Sequence, residues 1–345
     1  MRSHGLQRIS IAAAMLVLAA CTTAPATTRE SASAIPMSTS SATAGTKVPG
    51  LAVRGTFSSP VRACAGPTDW AGVPDLIRRL ADAWHEPDSA RRLAILDEVW
   101  AKDGVYQDPY SDPATGRAAL SDVMGFGVAP GQYLELRSWE AGDLHHQRIR
   151  MSWRHCCPSG IPLLEGTDIA TIGADGRITK VVSFWNEFIE APAETACDGP
   201  PGSPSGNDEP TAAAAEVCTG PDVDWSAIPA VAQGYGRAWN ERDAAVRLAL
   251  LEDVWAARGS YVDAPHGEPV RGRAAFVEHI EGFHAAGYGA YFEPRPFVEG
   301  DQHHNYLRMP WRFCDDDGNV VWVGEDVAEL DEDGRISSVV GFFYD

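Results

Sequence analysis

The chain has 345 residues, with 48 Asp and Glu against 28 Lys and Arg, a formal net charge of −20. No basic run occurs beyond the first few residues, so the electrostatic footprint needed to hold phosphates is missing and nucleic acid is excluded as an expected partner. The acidic balance serves solubility rather than ligand choice.

The first residues are polar and include Arg2, with Arg8 just after them. Residues 9–20 are apolar but too few to span a bilayer, which marks the hydrophobic part of a secretory signal. The stretch ends Leu18-Ala19-Ala20-Cys21 and resembles the bacterial lipobox, which implies lipidation of Cys21. Several acyl chains hold a protein stably on a membrane where one holds it only marginally. Thr22 comes next after the cysteine, and by resemblance to sorted lipoproteins this favours the periplasmic face of an outer membrane in a Gram-negative cell. The expected layout is therefore a signal peptide over 1–20 and a Ser/Thr/Ala/Pro-rich tether over 21–63, too poor in apolar residues to fold.

Beyond the tether, one plan is written twice. Trp70, Trp84 and Trp100 recur as Trp225, Trp239 and Trp255, each 155 positions on (225−70, 239−84, 255−100). Gly116-Arg117-Ala118-Ala119 returns as Gly272-Arg273-Ala274-Ala275, and GDLHHQRIRMSW from Gly142 as GDQHHNYLRMPW from Gly300. Duplication sets a first domain at 64–192, a Pro-, Gly- and Ala-rich linker at 193–217 and a second domain at 218–345.

Within the second copy, Ile228, Val231, Ala232, Tyr235 and Trp239 recur at helical spacing. Leu250, Leu251, Val254 and Trp255 mark a second helix, and Phe276, Ile280 and Phe283 a third. Long alternating segments come after the helices, so the fold class is α+β: two cone-shaped domains, each with three helices packed on a curved antiparallel sheet. Alternation puts Gly324, Asp326, Ala328 and Leu330 on one strand face, with Glu325, Val327 and Glu329 on the other. Asp168 keeps the same company in the first copy, beside Gly166, Ala170 and Ile172. The same counting groups His303, Asn305, Leu307, Met309 and Trp311, and likewise His145, Gln147, Ile149, Met151 and Trp153. Neighbouring histidines in such a strand point to opposite faces, so no shared metal is expected there. His304, Tyr306, Arg308 and Arg312 face outward, to solvent or an interface. An acid turned inward among apolar side chains must be hydrogen-bonded, paired or protonated.

Ala238-Trp239-Asn240-Glu241-Arg242-Asp243, Tyr261-Val262-Asp263, Gly272-Arg273-Ala274-Ala275, His303, Trp311, Gly324-Glu325-Asp326 and Asp333-Gly334-Arg335-Ile336 together resemble the nuclear transport factor 2-like superfamily, in particular its SnoaL-like branch. The resemblance covers nearly all of both copies and implies a cone with an internal pocket. The ketosteroid isomerase branch places Tyr, Asp and Asp where this chain has Tyr235, Asp263 and Asp326. By that resemblance Asp263 is the general base, while Tyr235 and a protonated Asp326 stabilise an oxyanion. The first copy matches at Asp108 and Asp168 but has Leu80 in place of the tyrosine, which points to the second domain as the working one.

His303, Trp311 and Tyr288 are candidate ligand contacts of that domain, and His145 and Trp153 of the first. Two functions stay open: a module that binds a small apolar or carbonyl-containing molecule, and an isomerase, cyclase or dehydratase acting by proton transfer. An open cavity reaching Asp263 and Asp326 would favour catalysis, and acids sealed by their neighbours would not. Each residue also has a structural reading, as a core tyrosine, turn aspartates or satisfied histidines. The two domains are expected to pair through their outer sheet faces.

Setting aside Cys21 leaves six cysteines. The repeat pairs Cys64 with Cys156 and Cys218 with Cys314, leaving Cys157 with Cys197. Each repeated bridge closes a long loop, worth about 4–5 kcal/mol in the chain-entropy treatment. No Cys-x-x-Cys spacing occurs, and neither metal nor cofactor is expected. The run from Asp315 to Asn319 reads as a polar hairpin turn rather than a calcium loop.

Overall fold

The computed structural model describes residues 70–125, 131–139, 141–186, 228–265, 267–287, 289–295 and 297–344, with Cys64, Thr68, Cys197, Cys218, Gly220, Trp225 and Ser226 besides. Cys21, the tether and Tyr288 lie outside these residues.

Each copy begins with two eleven-residue helices, α1 (Asp75–His85) and α2 (Ser89–Val99) in the first, α4 (Ala230–Asn240) and α5 (Ala244–Val254) in the second. Pro74 and Pro229 precede the first helix of each pair, with backbone angles fixed just outside helical space. Asp88 and Asp243 start the second, each taking a backbone N–H of the first turn on its carboxylate. Trp100 and Trp255 do not extend those helices: each opens a strand, β1 (Trp100–Gln107) and β8 (Trp255–Asp263). A short strand and a third helix come next, β2 (Ala114–Thr115) with α3 (Gly116–Gly125), and β9 (Val270–Arg271) with α6 (Arg273–Ala285).

The remaining strands of the first copy are β3 (Tyr133–Ser138), β4 (Leu144–His145), β5 (Arg148–Cys156), β6 (Pro162–Ile172) and β7 (Ile178–Trp185). Those of the second are β10 (Tyr291–Pro294), β11 (Gln302–His303), β12 (Tyr306–Cys314), β13 (Val320–Leu330) and β14 (Ile336–Tyr344). The sheets share one order, β2-β1-β7-β6-β5-β3 and β9-β8-β14-β13-β12-β10, with β4 beside β5 and β11 beside β12. Pairing is antiparallel except where the first long strand lies parallel to the last, β1 with β7 and β8 with β14. That parallel pair puts Asp263 directly opposite Gly341, which faces Asp326 on its other side, so β14 lies between the two acids.

Each concave sheet face is filled by its own helices. Leu80, Leu96, Trp100, Leu120, Ile149 and Ile178 anchor the first core. The second is far more aromatic, with Tyr235, Trp239, Trp255, Tyr261, Phe276, Trp311 and Phe313 in mutual contact. The opposite sheet faces meet each other: Ile169, Val182 and Phe184 of the first copy pack with Tyr306, Val327, Val340 and Phe342 of the second. Lys180 donates to the Tyr306 hydroxyl at 2.5 Å, and Arg308 to the Asn186 side chain at 2.8 Å.

The three bridges Cys64–Cys156, Cys157–Cys197 and Cys218–Cys314 are formed. Asp315 closes the β12–β13 hairpin by accepting from the Asp317 and Asn319 backbones and the Asn319 amide. Among the described residues no helix is long and apolar enough to cross a membrane.

Candidate functional site

In the second copy two tyrosine–aspartate pairs face the core from neighbouring elements. Tyr235 on α4 donates to Asp326 Oδ2 at 2.6 Å, and Tyr261 donates to Asp263 Oδ2 at 3.1 Å. Gly341 sits between them: a Cβ added there would lie 2.8 Å from Asp326 Oδ1 and 3.1 Å from the Tyr261 hydroxyl. Any side chain at 341 would therefore fill the space in which the two acids approach.

Asp326 is 2% exposed; the Trp311 indole stands near enough to stabilise its charge, but Trp311 Nε1 and Asp326 Oδ1 close no hydrogen bond of normal geometry. Burial pushes the Asp326 carboxyl up to about 7, with the Tyr235 phenol and the Trp311 indole pulling the other way and the Asp263 charge reinforcing it. The neutral acid is therefore accessible near neutral pH. Tyr235 occupies Oδ2 as a donor, so the proton of the neutral acid belongs on Oδ1, the oxygen with nothing bonded to it.

The first copy spends its equivalent groups locally. Ser183 stands where Gly341 does and donates to Asp168 Oδ1 at 2.5 Å, while Trp153 Nε1 donates to the same oxygen at 2.8 Å. Trp185 Nε1 in turn donates to the Ser183 hydroxyl at 2.9 Å. Burial raises Asp168 only to about 6, since those donors stabilise its charge. Asp108 caps a turn, accepting from the Tyr110 and Ser111 backbones and the Ser111 hydroxyl.

Two expectations about the histidines need correcting. The chain reverses at His146-Gln147 and at His304, whose φ values are +47°, +59° and +50°. Counting alternation through a reversal therefore fails. His303 pairs directly with Tyr306, and His145 with Arg148, on the sheet face that meets the other copy. Neither lines its own domain's acids: His303 packs on Phe184 of the first copy at 5.1 Å, and His145 on Phe342 of the second at 4.8 Å. Nor do neighbouring histidines diverge, because in each pair the two Nδ1 atoms lie 3.0 Å apart, a hydrogen bond. Burial is the main reason that His145 and His303 both titrate down at about 4.

Trp311 stands beside Asp326, and Trp153 donates to Asp168. Tyr261, Gly341 and Ser183 were not singled out for the site from sequence. Tyr261 shares a strand face with Asp263 by simple alternation, and the serine-for-glycine exchange is visible once the two last strands are aligned. Among the described residues, the groups of three or more close metal-ligand types are Cys64–Glu135–Cys156 and Cys218–Glu293–Cys314. In each the sulfurs are tied in a disulfide, which leaves a single carboxylate and no ligand set.

No protein-family model and no curated protein sequence matches the chain. Among solved structures, a protein of the SnoaL-like family from Agrobacterium tumefaciens, whose isomerase activity is an assignment, is 35% identical in sequence, with 95% of it and 33% of this chain covered at a TM-score of 0.31. The chain belongs to the SnoaL-like family. One whole relative corresponds to about a third of the chain. An NTF2-like protein of unknown function from Mesorhizobium loti is 22% identical over 89% of its length (33% of this chain, TM-score 0.26). A protein with a cystatin-like fold from Methylobium petroleophilum is 19% identical over 94% of its length (39% of this chain, TM-score 0.28).

Proposed function

We propose that this chain is a membrane-anchored, extracytoplasmic protein whose second domain binds a small apolar molecule through one carbonyl or enol oxygen. The first domain is its packing partner, and the two form a pseudo-two-fold pair through their outer sheet faces. The observation that carries the reading is the unpartnered Oδ1 of Asp326 beside the unpartnered Trp311 indole, with Tyr235 behind. A neutral carboxylic acid there donates to a ligand oxygen, and the surrounding aromatic side chains offer flat apolar surface for the rest of the molecule. In the first domain the same acid already has two donors, which removes its need for a ligand.

Proton transfer with Asp263 as base is the second reading, favoured by an acid held near 7 beside a second carboxylate. Burial weighs on both readings, and proton transfer needs both acids reached at once. Asp263 and Asp326 are each only 2% exposed, so the neighbouring side chains seal them, and binding requires those side chains to move.

Fluorescence titration with 2-naphthol tests the binding reading. The parent is expected to bind below pH 7 and to lose affinity as pH rises through about 7, since a carboxylate cannot donate. Asp326→Leu is expected to weaken binding about tenfold, the scale of one buried hydrogen bond. Asp326→Asn keeps a donor and should bind with no such pH dependence, and Asp168→Leu should bind like the parent. Loss of binding in Asp168→Leu with none in Asp326→Leu would assign the site to the wrong domain. Incubating the same samples with 2-tetralone in D2O separates the readings: α-deuteration that disappears in Asp263→Asn would establish the enzyme instead.

The anchor is tested separately. Cys21→Ser is expected to move the protein from the membrane fraction to the soluble extracytoplasmic fraction, and equal membrane retention of the two would refute lipidation.

A further inference from the structure

The most obvious piece of repeated text is Gly142-Asp143-Leu144-His145-His146 and Gly300-Asp301-Gln302-His303-His304, and neither copy enters its own domain's site. Both run across the contact between the two sheets. We propose that this segment is a reciprocal clasp by which each domain holds the last strand of the other, and that His145 is thereby a positioning residue for the acid site of the second domain.

Each part of the segment has a task. The glycine allows a close backbone approach at Gly300, against the Trp185 carbonyl, while Gly142 faces the Phe343 carbonyl at ordinary contact distance. The aspartate fixes an arginine of the adjoining strand, Asp143 with Arg150 at 2.5 Å and Asp301 with Arg308 at 2.6 Å, all four side chains buried. Those arginines reach over the contact, Arg308 to Asn186 and Arg150 to within 4.0 Å of Glu325. The first histidine then lies on an aromatic ring of the far strand, His145 on Phe342 and His303 on Phe184. The second touches back in one direction, His146 Nε2 lying 3.3 Å from the Gly267 carbonyl oxygen.

The link to the site is one residue long. Phe342 points out to His145, and its neighbour Gly341 points in, between Asp326, Asp263 and Tyr261. The Gly341 carbonyl also offers His145 an acceptor, although Nε2 does not close a bond of normal geometry. His303 stands in the same relation to Ser183, the residue that satisfies Asp168. The charged groups facing His145 are His146 and Arg148 on its own hairpin and Asp263 on β8. Moving the imidazole shifts the strand segment on which the Gly341 gap depends. Moving His303 shifts the first domain's site and spares the second.

This inference rests on the reading of Asp326 as part of a binding site, and the experiment separates the two. The full chain is compared with His145→Ala, His145→Gln and His303→Ala. One arm is 2-naphthol affinity. The other, which needs no ligand, is the pH midpoint of the Asp326 carboxyl in 13C-aspartate-labelled protein, assigned by its loss in Asp326→Asn. His145→Ala is expected to weaken 2-naphthol at least about fivefold, the scale of one lost polar contact. It should also move the Asp326 midpoint, with His145→Gln partly restoring both. His303→Ala, which removes an equivalent ring contact from the same interface, should leave both where they were. If the two alanine variants act alike, or His145→Ala leaves the Asp326 midpoint unchanged, the positioning role is wrong. If the parent does not bind 2-naphthol, the binding reading fails and the carboxyl midpoint alone decides the clasp. Should His145→Ala not fold, the comparison runs on His145→Gln against His303→Gln.

Discussion

Gly300→Ala is expected to destabilise the chain by about 1–3 kcal/mol, while the matching change Gly142→Ala is expected to be nearly neutral. The two glycines hold equivalent places in the repeat and the same short helical turn, residues 299–301 and 141–143. What differs is the space in front of them. A Cβ on Gly300 would stand 1.9 Å from the Trp185 carbonyl oxygen and 3.0 Å from its carbon, both backbone atoms of a strand fixed on its other side by β6. A Cβ on Gly142 would meet the Phe343 oxygen at 3.8 Å, ordinary van der Waals contact. The strain in Gly300→Ala can be relieved only by separating the segment from the first domain's last strand. Denaturant titration should therefore show a lower midpoint for Gly300→Ala, and small-angle scattering a larger radius of gyration. Equal midpoints for the two variants, with unchanged scattering, would mean that the two sheets do not hold this contact in solution.

Sequence carries the frame of this molecule because the frame rests on local rules. Tryptophans spaced alike in two copies, apolar residues at helical spacing and alternation along β13 each report a periodicity the backbone imposes. Asp326 and Asp168 turn inward, as alternation along their strands requires. Alternation holds only while a strand runs on. At His304 the chain takes a left-handed residue and doubles back, so His303 belongs to the short strand β11 and to the outer face. The signal for that reversal is weak: His and Asn take left-handed angles more readily than most residues, but neither demands one as glycine does. The site was half legible for a similar reason. Tyr235, Asp263 and Asp326 could be named from their faces and from resemblance, but Gly341 matters for what it lacks. Only with the sheet order in hand does the last strand lie between the two acids. The same strand has Ser183 in the first copy, and that one hydroxyl separates a satisfied acid from one with an idle oxygen.

Replacing Asp326 by Asn should change the shape of the stability–pH curve. Burial holds the Asp326 carboxyl at about 7 against an ordinary 3.8, so between those values the folded chain binds more protons here than the unfolded one. This contribution favours folding at low pH and is lost as pH rises through about 7. Asp168, raised to about 6, acts in the same direction over a narrower range. His145, His155 and His303 act oppositely. Burial lowers all three from 6.5 to about 4, so the unfolded chain binds more protons over that window, and their contribution is lost as pH falls. In the parent the three histidine slopes outweigh the two acid slopes between about pH 4 and 6.5, so these groups together favour folding as pH rises there. Asp326→Asn takes away the largest acidic share while keeping a donor for the site and an acceptor for Tyr235. Its stability relative to the parent should climb with pH, by at most about 1.4 kcal/mol per unit, and level off above about 7. Urea titrations at half-unit steps from pH 4 to pH 8 measure this directly. Parallel curves for the parent and Asp326→Asn would show that Asp326 is ionised throughout in the folded chain, and an ionised Asp326 has no proton to offer a ligand oxygen.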